Sequence, residues 1–178
     1  MKTIIFSLII SISTFAVFAN TESPYVGQEK REIKALSAQE IEGYLNGKGL
    51  GYAKVAELNQ YPGPSHILDL SKELSLTEEQ IRKTQTVFNS MKDEAINYGE
   101  RLIVKEQELD LKFANKTIDS GALKKLLFDI GVLESKIRYV HLIAHLEQKS
   151  ILNRHQIQQY DHLRGYGTQH NNGQKHSH

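Results

Sequence analysis

Leu76-Thr77-Glu78-Glu79-Gln80-Ile81 opens the stretch that decides the fold. Thr77 suits a cap that accepts from the amide three positions on, and Gln80 is placed to reach back to the Thr77 amide. Glu78 and Glu79 add negative charge to the first turn, where a helix favours it. Beyond this start, Ile81, Thr84, Phe88, Met91, Ala95, Tyr98, Leu102, Leu109 and Phe113 recur at three- and four-residue spacing. Lys105 alone interrupts that seam, so the sequence predicts one long amphipathic helix. Gly99 within it costs about 1 kcal/mol relative to alanine, and close packing is the expected reason for its presence.

Downstream, Asn115 to Gly121 reads as a break, with Thr117 or Asp119 as the cap of the next helix. Leu123, Leu126, Leu127, Ile130, Leu133, Ile137, Val140 and Ala144 mark that second long helix. So short a connection predicts antiparallel neighbours. Asn153-Arg154-His155-Gln156 repeats the capping chemistry and opens a short helix through Tyr160 and Leu163, closed by Gly165 and Gly167. Upstream, Ser37 and Glu40 form another capping box, and Gly47, Gly49 and Gly51 end the helix it opens. Tyr61-Pro62-Gly63-Pro64 is a stop, after which Ser65 is expected to cap a short helix carrying His66. No strand-like alternation is convincing. The reading is all-α: a long antiparallel helical hairpin with short flanking helices over residues 36–166, expected to dimerise.

The N-terminus bears on location. Lys2, an apolar run from Ile4 to Phe18 and the small-x-small ending Val17-Phe18-Ala19 read as a secretory signal peptide over residues 1–19. The run is shorter than the ~20 apolar residues that span a bilayer. An exported chain with no membrane span after signal removal is therefore expected. Residues 20–35, with Pro24 and Gly27, read as a flexible leader, and residues 167–178 as a disordered tail. The chain has no cysteine, so packing or metal must hold it without covalent staples. Lys and Arg number 22 against 21 Asp and Glu, and no basic stripe is present, which argues against a nucleic-acid partner.

His141 and His145 lie four apart in the second long segment, so a helix puts both imidazoles on one face. Such a pair can hold a transition metal, or it can decorate a solvated stripe with Glu134 and Arg138. A loop centred near Thr117 sets His141 opposite Asp93 and Glu94, and Glu94, with the longer reach, is the expected acidic ligand. His66 would supply a fourth ligand if its short helix folds back. The tail histidines His170, His176 and His178 can gather zinc, nickel or copper with little geometric selection. A zinc peptidase is excluded, because its His-Glu-x-x-His helix needs a general base where this chain has Leu142. No activated nucleophile and no phosphate loop is visible, so no catalysis and no organic cofactor is expected.

The two motifs Leu76-Thr77-Glu78-Glu79-Gln80 and Leu152-Asn153-Arg154-His155-Gln156, on a cysteine-free exported hairpin, resemble the Spy/CpxP family. That superfamily includes heavy-metal sensor and resistance proteins of the CnrX and ZraP type. Asparagine stands at 153 where the family usually has threonine, and it caps equally well. The resemblance covers roughly Leu36 to Tyr166. It implies a periplasmic, non-enzymatic, often dimeric protein that binds metal, holds unfolded client proteins without ATP, or partners a membrane sensor protein. CnrX-like proteins carry a methionine at the position of His145, so the metal carry-over departs there. Ile103, Val104, Leu111, Leu142, Ile143 and Leu146 lie off the main seam, and they suit either a client surface or a dimer interface.

Overall fold

The computed structural model describes residues 22–166, which are helical wherever they are regular, with no strand among them. A 3-10 turn at Gln28–Lys30 precedes six helices: α1 (Ala38–Leu45), α2 (Lys54–Glu57), α3 (Pro64–Asp69), α4 (Glu78–Ala114), α5 (Ser120–Ile151) and α6 (Arg154–Leu163). The expected signal peptide and tail lie outside the described residues. None of the described helices is long and apolar enough to cross a membrane.

The starts follow local chemistry. Ser37, Thr77 and Asn153 each close a full capping box with the Glu or Gln three residues on. Asp119, rather than Thr117, caps α5 by accepting from the Ala122 amide at 2.8 Å. Gly63, rather than Ser65, precedes α3, with Pro64 in its first turn. Proline suits that place because its missing N–H would have no partner there.

The long pair α4 and α5 forms the bulk of the molecule. Gln80 meets Ile151, Thr84 meets Gln148 and Lys105 meets Asp129, so numbers rise along one helix as they fall along the other. Two apolar clusters flank its middle. One gathers Ile33, Leu36, Tyr44, Leu102, Ile130, Leu133 and Ile137; the other gathers Ile67, Leu74, Leu152 and Tyr160. Ile33 is only 3% exposed, and the Lys34 amide and ammonium both donate to Asp110. The end of the expected flexible leader is thus part of the packed domain, because Ile33 finds apolar partners that no local pattern reveals.

α1 crosses α4 at Gly99. A Cβ there would stand 2.8 Å from the Tyr44 carbonyl oxygen, which no side chain tolerates without a shift. Close approach is therefore the physical reason for a glycine in mid-helix. The seam is narrower than periodicity suggests: Phe113 is 55% and Leu127 51% exposed. Both lie near the connecting loop, where no further helix covers the pair.

Candidate metal centre

Between the two apolar clusters, the buried face of α5 turns polar. His141, His145 and Gln148 are all buried there, opposite the buried Thr84 of α4. The expected alternative of a solvated stripe therefore does not hold, since Glu134 and Arg138 stay exposed while both histidines turn inward. The cause is tertiary. The chain from Gly47 to His66, including α2 and the start of α3, folds over this face and covers it.

The two imidazoles are held differently. The Nδ1 of His145 lies 2.6 Å from the Tyr61 carbonyl oxygen. A carbonyl can only accept, so Nδ1 carries a proton, and in the neutral form of the ring Nε2 keeps its lone pair. Tyr61 is itself pinned, with the Lys149 ammonium 3.5 Å from its ring centre. His141 is less well served. Its Nε2 is buried without a hydrogen-bond partner. Burial first, and His145 second, push its pKa down to about 4, so the ring is neutral at ordinary pH. Leaving such a nitrogen unpaired costs roughly 1–3 kcal/mol, which a bound ligand would offset.

Both rings line one cavity of about 320 Å³, which His66 shares. Gly49 and Gly63 make room for it: a Cβ at Gly63 would stand 3.0 Å from the His145 Nε2, and one at Gly49 would contact the His141 ring. His66 is half-exposed, with its Nδ1 3.8 Å from Asp69. Glu94 is exposed on α4 and does not line the cavity. The pairing of α4 with α5 brings Met91 and Lys92 to the cavity beside His141, and Glu94, on an exposed position of α4, is not the acidic ligand that the sequence suggested. His170, His176 and His178 lie outside the described residues. Among the described residues, no three His, Cys, Asp or Glu side chains stand close enough to form a ready-made cage.

The acid that does approach is Glu57, at the end of α2. Its Oε2 lies 3.9 Å from the His145 Nδ1 and accepts from the Gly63 amide at 3.3 Å. Its Oε1 accepts from the Tyr160 and Tyr166 hydroxyls and lies 3.5 Å from the Arg164 Nε. Glu57 thus ties the loop over the histidines to α6. No spacing signal could have found it, because its side-chain partners lie 88 to 109 residues away in the chain.

Chemically, this arrangement supplies two buried imidazoles in a covered cavity, one of them with its Nδ1 held by a backbone carbonyl and a carboxylate behind it. That is the outer-shell support that metal-ligating histidines characteristically have. Comparison with models of known protein families, with curated proteins and with solved structures finds no match to this chain.

Proposed function

We propose that this chain is an exported, periplasmic, non-enzymatic protein of the Spy/CpxP type that binds a transition-metal ion in metal sensing or resistance under envelope stress. Zinc, nickel and copper are the ions its imidazoles suit. The observation that carries the reading is the pair His141 and His145, buried and lining one cavity beneath a glycine-lined loop. His145 offers Nε2 and His141 an under-partnered ring, and His66 lines the same cavity without closing a three-residue cage with them. A bound ion would supply a Lewis-acidic charge there and lock the loop onto α5. Glu57, 3.9 Å from the Nδ1 of His145, takes the outer-shell place behind that ligand. The long pair is proposed to act as an antiparallel hairpin within a homodimer.

The test is a competition titration of the chain with zinc, nickel and copper, with His170, His176 and His178 changed to alanine in the same background. His141→Ala plus His145→Ala is expected to lower affinity at least a hundredfold. Equal affinity and stoichiometry in that double variant would sink the helix site.

A second reading has its own observation. A groove of about 540 Å³ runs over α4 and α5, with Val104, Phe128 and Val132 among its lining residues and all three exposed. An apolar surface of this kind suits an ATP-independent holdase that shields unfolded clients, or a regulatory contact with a membrane sensor.

A further inference from the structure

The proposed metal reading leaves the ion open, and the cavity's donors narrow it. Besides His66, His141 and His145, Met91 of α4 lines the same space, whereas no carboxylate among the described residues does. Lys92 and Lys48 also line it, the latter paired with Glu42 at 2.8 Å. Hard cations need oxygen donors, and divalent borderline ions gain from an anionic ligand. The side-chain oxygens that line this cavity are those of Asn46 and Ser65, and no carboxylate is among them. A thioether with imidazoles is a soft, neutral set, and soft sulfur selects monovalent copper. The Lys ammonium groups oppose a monovalent ion less than a divalent one.

We infer that the cavity between α4, α5 and the loop over them is a Cu(I) site, ligated by Met91, His141 and His145, with His66 at the same cavity. This rests on the metal reading above and gives that reading its ion. An imidazole in its neutral form and a thioether bind Cu(I) through lone pairs already free. The ion enters already reduced, and no electron transfer is part of binding.

The chain itself makes the test clean. It has no cysteine, and its two methionines are Met1 and Met91. The full chain, with the three tail histidines changed to alanine, is titrated anaerobically with Cu(I) against bicinchoninate, and separately with Zn(II) and Ni(II). Expected is one Cu(I) per chain, bound at least a hundredfold more tightly than Zn(II). X-ray absorption at the copper edge is expected to show one sulfur neighbour. Met91→Leu conserves volume and should keep the fold. It is expected to remove that sulfur signal and weaken Cu(I) at least tenfold, while Zn(II) binding stays within twofold. An unchanged Cu(I) affinity in Met91→Leu, or a spectrum of nitrogen and oxygen neighbours alone, overturns the Cu(I) assignment. If His141→Ala plus His145→Ala still abolishes binding in that event, the metal reading survives without it. If the histidine variant also binds every ion unchanged, both readings fall.

Discussion

His141 sets the acid sensitivity of this fold. Its ring is 3% exposed, and burial, helped by His145, pushes its pKa down to about 4. In the unfolded chain a histidine titrates near 6.5. Above that pH both states are neutral and the residue adds no pH dependence. Between about 6.5 and 4 only the unfolded chain takes up the proton, so stability falls as pH falls, and the loss levels off below about 4. Urea denaturation of the metal-free chain at pH 7 and pH 5 reads this directly. The wild type is expected to lose about 2 kcal/mol more over that interval than His141→Gln, from the roughly 1.4 kcal/mol carried by each pH unit. Equal losses would show that the buried imidazole is not responsible. The histidine pair itself was legible from its spacing. Its burial was not, because the residues that cover it come from a loop more than 70 positions earlier.

Among the elements, the helix starts were the most readable, and their meeting was the least. Gln80 and Gln156 each complete a capping box at their own helix, as their spacing predicts. In the structure their amides also exchange hydrogen bonds, at 2.9 and 3.1 Å. Gln80 donates further to the Ile151 carbonyl, and Gln156 to the Leu74 carbonyl. Two local caps thereby become one joint that fastens the start of α4 to the start of α6. Gln80→Ala and Gln156→Ala are each expected to cost about 1–3 kcal/mol, since each removes a cap and strands a partner amide. The double variant should cost less than their sum by about 0.5–2 kcal/mol, because the second change removes a group already left unpaired. Additive costs in denaturant melts would mean that the two caps act independently.

For the whole molecule, the exposed groove over α4 and α5 is the surface with most to explain. Phe128 is 71% and Val104 59% exposed, on helices whose opposite face is well packed. Phe128→Glu is expected to leave the melting temperature within a few degrees, since little packing is lost. If the groove serves the proposed dimer, the same change halves the mass seen by sedimentation; if it holds clients, the mass stays and suppression of aggregation disappears. A variant unchanged in both assays would leave the groove without either role.

The sequence by itself determined the all-helical class, the extent of two long helices, the Thr77 cap of α4 and the reason for suspecting His141 and His145. These follow from periodicity and from hydrogen bonds within four residues, which are local physics. Only the tertiary structure decided that Ile33 joins the core, that α1 presses on Gly99, that Glu94 faces solvent and that Glu57 stands behind His145. It alone also set Met91 beside the two histidines in one cavity. Such contacts depend on how a covering loop folds across a helix pair, and no spacing along the chain records that.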